Sequence, residues 1–183
     1  MKFFSPQVCD TFDGYEPFRE VYDTYRRHLE SMRGILPERV LELAEPSGME
    51  DGLVVRVDHD RERRILRLTL RVGHLQMGYS NLVLTYEGAE ISPEHDAVFA
   101  TLARSTHTQS YFGGDLAYHE VDAGEDGKIE HRLIFNANGW LHPTANGWFW
   151  FTIRCRTLHW RRDPRRSRRL PPIADRYPGG PSA

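Results

Sequence analysis

The chain has 183 residues, 24 basic and 26 acidic side chains for a net charge of −2, and 39% hydrophobic residues, the size and balance of one soluble domain or of one domain with a tail. No apolar run approaches the roughly 20 residues of a membrane span, and the start, Met1-Lys2-Phe3-Phe4-Ser5-Pro6, breaks too soon for a signal-peptide core, so a cytoplasmic protein without membrane contact is expected. Cys9 and Cys155 have no CxxC spacing, which excludes a disulfide scaffold and a cysteine zinc site.

Tyr15, Phe18, Tyr22, Tyr25, Leu29 and Met32 recur at steps of three and four, the stripe of an amphipathic helix. Asp13 with Glu16 matches a capping box, Pro17 falls in the first turn, and Gly34 stands where a helix stops. A second, short helix is expected from Pro37, with Val40, Leu41 and Ala44 inward, ended by Pro46-Ser47-Gly48.

From residue 52 the period changes to two. Leu53, Val55 and Val57 alternate with Val54, Arg56 and Asp58, and after Asp60-Arg61-Glu62-Arg63, Leu66, Leu68, Leu70 and Val72 alternate with Arg67, Thr69 and Arg71. A four-residue loop pairs Val57 with Leu66, Val55 with Leu68 and Leu53 with Leu70 on one shared face. Further strands are expected at Asn81–Glu87 with Leu82, Leu84 and Tyr86 inward, at Leu116–Asp122, at Ile129–Asn136 and at Gly147–Leu158, with a short helix around 94–103. Gly124-Glu125-Asp126-Gly127 and the stretch from Asn138-Gly139 to Asn146-Gly147 are turn signals. The pattern is α+β: an N-terminal helix pair packed on an antiparallel meander sheet of about six strands, forming one domain over residues 1–160.

Residues 153–170, IRCRTLHWRRDPRRSRRL, hold eight Arg against Asp163, a local charge of +7, which leaves −9 on residues 1–152. Near neutrality is thus the average of an acidic body and a basic end. Residues 161–183 are rich in Pro and Arg and poor in apolar side chains, so they are expected to form a flexible tail.

Several groups of motifs together carry a resemblance. Leu36-Pro37 through Leu43-Ala44, Asp51-Gly52-Leu53-Val54, Tyr79 through Ala89, Tyr118-His119-Glu120-Val121 and Glu130-His131-Arg132-Leu133-Ile134-Phe135 stand in an order that resembles a family of uncharacterised bacterial proteins common in GC-rich genomes. The resemblance covers roughly residues 15–158, and some proteins similar in this way look like immunity partners of secreted toxins. The motifs are mainly strand and turn patterns, so the resemblance implies a fold more than an activity, and with it a small binding protein of the immunity type. The basic tail departs from the pattern, so any function carried there lies outside the resemblance.

Nine histidines prompt a search for metal or acid/base chemistry, but HExxH, HxH and zinc-finger spacings do not occur, so neither a metal nor another cofactor is expected. The best constellation is Glu120 opposite His131 across the loop at 124–127, with His59 able to join from another strand. A carboxylate beside an imidazole would form an acid/base pair or supply two ligands of a metal, and the plainer reading is a cross-strand polar pair. Cys155 alternates with Phe149, Phe151 and Ile153, the position of a buried core thiol. Trp148, Trp150, Arg154 and Arg156 share one face of the last strand, two rings followed by two guanidiniums, which suits a protein partner unless the first helix covers them. Arg161, Arg162, Arg165, Arg166, Arg168 and Arg169 supply phosphate contacts for nucleic acid without sequence readout. Three functions follow: an immunity-type binding protein, a nucleic-acid-associated protein using its tail, and an enzyme at Glu120/His131.

Overall fold

A computed structural model describes residues 2–5, 15–45, 49, 52–74, 78–93, 95, 114–137 and 148–163. Helices α1 (Tyr15–Ser31) and α2 (Glu38–Ala44) precede eight antiparallel strands: β1 (Gly52–Asp60), β2 (Ile65–His74), β3 (Gly78–Glu87), β4 (Glu90–Ile91), β5 (Gly114–Ala123), β6 (Ile129–Ala137), β7 (Trp148–Cys155) and β8 (Thr157–Arg162). The α+β class and the two helices stand as expected from the sequence, while the sheet has eight strands where about six were expected. The expected final strand is divided at Arg156 into β7 and β8, and the short β4 follows β3 after Gly88-Ala89. The expected helix around 94–103 and the turn at 138–147 lie outside the described residues, apart from residue 95.

The order β4-β7-β6-β5-β1-β2-β3-β8 is not a simple meander. Leu82 through Glu87 pair with Arg162 through Thr157, and Glu90 and Ile91 pair with Arg154 and Ile153. Both sets keep one register, and the Arg156 N–H donates to the Glu87 carbonyl at 2.9 Å between them. β3–β4 and β7–β8 are therefore two bent strands of a single ladder, so the ends of the sheet order meet and the sheet closes into a barrel. Gly88 makes the bend possible: its φ is +66°, and a Cβ there would sit 3.3 Å from the Arg156 Cβ.

Leu66, Leu68, Leu70, Leu82, Leu84, Leu133, Phe135, Phe151, Ile153 and Cys155 are buried in one continuous core. Each large side chain removed from water contributes roughly 1.5–3 kcal/mol before entropy is counted. The β1–β2 register departs from expectation. β1 continues to Asp60, which pairs with Ile65, so Val57 faces Leu68 rather than Leu66. A bulge between Val54 and Arg56 then reverses the alternation, so Val54 and Val57 are buried while Leu53 and Val55 are half-buried.

Between β1 and β5 the ladder, among the described residues, comprises Gly52–Leu116 and Leu53–Asp115. Tyr25 and Leu29 of α1 are buried, and the Val121 N–H of β5 donates to the Tyr25 hydroxyl at 2.7 Å. α1 thus lies over β5, supplying a partner that a neighbouring strand does not. Helix α2 packs on both β5 and β8. Trp160 of β8 donates its indole N–H to the Arg39 carbonyl at 2.6 Å, and the Arg39 guanidinium lies 4.1 Å from the ring centroid, a cation–π contact.

Candidate functional site

The β5–β6 hairpin decides the fate of the expected Glu120/His131 pair. Ala123 pairs with Ile129, leaving a five-residue connection, 124–128, closed by a Gly124 N–H to Lys128 carbonyl bond of 2.7 Å. One residue more than the expected four places Val121 opposite His131 and Glu120 opposite Arg132. A slip of one sends alternate side chains to opposite faces. Glu120 and His131 therefore do not form an acid/base pair. His59, the third residue of that grouping, pairs with Leu66 near the end of β1.

His131 instead belongs to the barrel interior. Its Nδ1 lies 2.9 Å from the Tyr86 hydroxyl and its Nε2 lies 3.2 Å from Nδ1 of His119. Burial pulls the His119 imidazole down to about 4 and lowers His131 too, with His119 adding to the latter. Burial also pushes the Tyr86 phenol up and the Cys155 thiol to about 12. All four groups are held neutral at pH 7, so the Cys155 thiol is not poised as a nucleophile. Among the described residues, no group of three or more His, Cys, Asp or Glu is placed to hold a metal ion.

Glu120 faces outward beneath the N-terminal segment. Its carboxylate accepts the N–H groups of Lys2, Phe3 and Phe4 at 2.6, 2.9 and 3.3 Å, and the Arg132 guanidinium at 3.2 Å. Asp122, two residues on, is ion-paired with Lys2 and with Arg132 at 3.5 Å, and is hydrogen-bonded to His28 of α1 at 3.0 Å. Burial would raise the Asp122 carboxyl, but hydrogen bonds from Lys2 and His28 outweigh it and hold the group below its ordinary value. Elsewhere on the body, Glu90 and Asp126 pair with Lys128, and Asp126 also pairs with Arg154 at 2.9 Å. Several of the body's acidic side chains are thus engaged in internal pairs.

The expected Trp/Arg stripe is only partly assembled. Trp150 is 37% exposed on β7, and Arg154 shares its outward face but is tied to Asp126. Arg156 is exposed in the bend between β7 and β8. The side chain of Trp148 lies outside the described residues, as do Arg165, Arg166, Arg168 and Arg169. Arg161 and Arg162, expected in the tail, are the last two residues of β8. Helix α1 engages β5 through Tyr25 and His28, and leaves Trp150 accessible.

The placement of β8 brings together a surface that the sequence reading left ungrouped. Across β1, β2, β3 and β8 the ladders align Asp58, Arg67, Thr85 and His159 in one row, and Arg56, Thr69, Val83 and Arg161 in the next. A third row holds Arg71 and Asn81, and the Asp163 N–H donates to the Asn81 carbonyl at 2.8 Å. Arg67, His159 and Arg161 are exposed, and Arg71 is half-buried. Arg56 is paired with Asp58, and Arg161 lies 3.7 Å from Asp163. Among the described residues neither Arg67 nor Arg71 has a carboxylate partner, and Nε of Arg71 and Oδ1 of Asn81 are buried without a hydrogen bond. The alternation Arg67-Thr69-Arg71 carried the signal for this face, but only the β3–β8 pairing adds Arg161 to it.

No protein-family model, no curated protein and no solved structure matches the chain. Among the described residues no helix is long and apolar enough to cross a membrane.

Proposed function

We propose that the chain is a non-catalytic, cytoplasmic binding protein that holds a nucleic acid by its phosphates on the outer face of β2, β3 and β8, extended by the arginines after residue 163. The observation that carries this reading is the position of Asp163. Its N–H is bonded to the Asn81 carbonyl, which puts the last described residue beside Arg71, on a face that already presents Arg67 and Arg161, and the sequence that follows it holds Arg165, Arg166, Arg168 and Arg169. Among the described residues Arg67 and Arg71 have no carboxylate partner, and such guanidiniums suit phosphate oxygens presented along the outer face of a sheet.

Arg67, Arg71, Arg161 and the four tail arginines allow up to seven phosphate contacts, for which log K falls against log salt with a slope of about −6 on duplex DNA. Titration of a labelled 24-mer between 50 and 200 mM salt measures it. Replacing Arg165, Arg166, Arg168 and Arg169 with Ala lowers affinity and makes the slope shallower by about 4. An unchanged affinity and slope in that variant would end the proposal.

A second reading, an immunity-type protein partner, is supported by Trp150, an exposed indole on β7 of the kind that anchors protein interfaces. Co-expression with the product of the adjacent gene, with relief of its toxicity lost in Trp150→Ala, is the result expected of that reading.

A further inference from the structure

Residues 2–4 are attached in an unusual way. They form no strand, and all three of their N–H groups converge on one side chain, the Glu120 carboxylate, rather than entering the neighbouring ladder. The Lys2 ammonium meets Asp122. The Phe4 ring stacks on Tyr118 at 5.2 Å, with an 8° interplanar angle, and meets Tyr22 and Tyr25 edge-on at 5.3 and 5.4 Å. Phe3 lies against Tyr25 and His28 at 5.2 and 5.1 Å.

The walls of this groove are fixed by contacts that do not involve residues 2–4. Arg132 holds both Glu120 and Asp122 and is itself ion-paired to Glu130, while the Val121 N–H fixes the Tyr25 hydroxyl. His28 holds Asp122 independently of Lys2. A site whose parts are set before its ligand arrives forfeits little ordering entropy on binding.

We infer that the outer face of β5–β6 is a recognition groove for an extended segment of a partner protein carrying a basic residue followed by two aromatic residues, and that the chain's own Lys2-Phe3-Phe4 occupies it in cis. Two buried carboxylates read the amine and the backbone N–H groups, which makes the groove selective for positive charge at the first position. The aromatic wall of Tyr22, Tyr25 and Tyr118 reads the rings. The N-terminal segment then acts as a built-in competitor, scaling apparent affinity for an outside segment by the fraction of time the groove stands vacant.

The test uses the full chain and a fluorescent hexapeptide, Met-Lys-Phe-Phe-Ser-Pro, as probe. A variant combining Lys2→Ala, Phe3→Ala and Phe4→Ala empties the groove and binds the probe at least about tenfold more tightly than the unaltered chain, because competition is removed. Adding Glu120→Gln reverses the gain, and a probe with Glu in place of Lys does not bind. If the triple variant retains cooperative unfolding and binds the probe no better than the unaltered chain, the inference is overturned. If the triple variant fails to fold, Lys2→Ala alone decides: it keeps both rings, and probe affinity equal to that of the unaltered chain overturns the inference, whereas a severalfold rise supports it.

Discussion

The Tyr86 hydroxyl on β3 meets Nδ1 of His131 on β6 at 2.9 Å, joining two strands that share no ladder. With the phenol donating, His131 carries its proton on Nε2 and passes a second hydrogen bond to Nδ1 of His119. This direction uses the phenol's only proton and leaves both imidazoles neutral, as burial requires. Tyr86→Phe removes the donor and leaves a buried ring nitrogen unsatisfied, which costs about 1–3 kcal/mol. Urea unfolding measures it, and a midpoint equal to that of the unaltered chain would refute the role given to this bond.

The same chain sets a pH dependence. His119 has an ordinary value of 6.5 and is pulled to about 4 in the fold, so between these values the unfolded chain binds the extra proton. Stability from this group is therefore fully present above pH 6.5 and is lost as pH falls toward 4, by roughly 3 kcal/mol at most. His131 shifts in the same direction. Asp122 and Asp126, held below their ordinary 3.8, lose stability only at still lower pH, so the window from 6.5 to 4 reports mainly on the histidines. Denaturant midpoints measured across that window fall with acid, and a flat profile would contradict the buried, neutral assignment.

On the opposite face of β5, Glu120→Ala leaves three N–H groups without their acceptor and removes one of the three carboxylates around Arg132. Breaking a buried charged group's set of partners costs about 3–5 kcal/mol. Hydrogen exchange localises the effect: the amides of Phe3 and Phe4 lose protection first, while those of β2 and β3 stay slow. Unchanged protection at Phe3 and Phe4 would show that the carboxylate does not hold the segment.

Gly73, near the end of β2, has φ +121°, and a Cβ there would come within 2.3 Å of the Gly78 carbonyl oxygen. Gly73→Ala adds backbone strain to a clash with main chain that cannot rotate away, and is expected to cost more than about 2 kcal/mol. Thermal unfolding tests this, and a loss below about 0.5 kcal/mol, the scale of an ordinary surface substitution, would mean that the backbone there relaxes freely.

What the sequence made legible was what depends on local period. The Tyr22-Tyr25-Leu29 stripe gave α1, and Leu66-Leu68-Leu70 and Leu82-Leu84-Tyr86 gave the inward faces of β2 and β3, all buried or packed on the core. Register was less legible, because a turn of four or five residues reads alike in Gly124 through Lys128 yet decides whether His131 faces Glu120 or Val121. Closure was not legible: Trp148 through Leu158 has one unbroken β pattern, and only the bend at Arg156 carries the chain from β7 into β8. The groove around Glu120 escaped notice because its ligand is more than 110 residues away in sequence.

The short ladder between β1 and β5 gives α1 a second task. A barrel is protected from strand addition because it has no edge, but among the described residues β5 pairs on its β1 side only at Asp115 and Leu116, and its stretch from Ala117 onward has no strand partner there. Tyr25 and Leu29 hold the helix on that seam. Truncating either would bare this side of β5, a template for another chain, so loss of α1 would open a route to polymerisation beside simple unfolding.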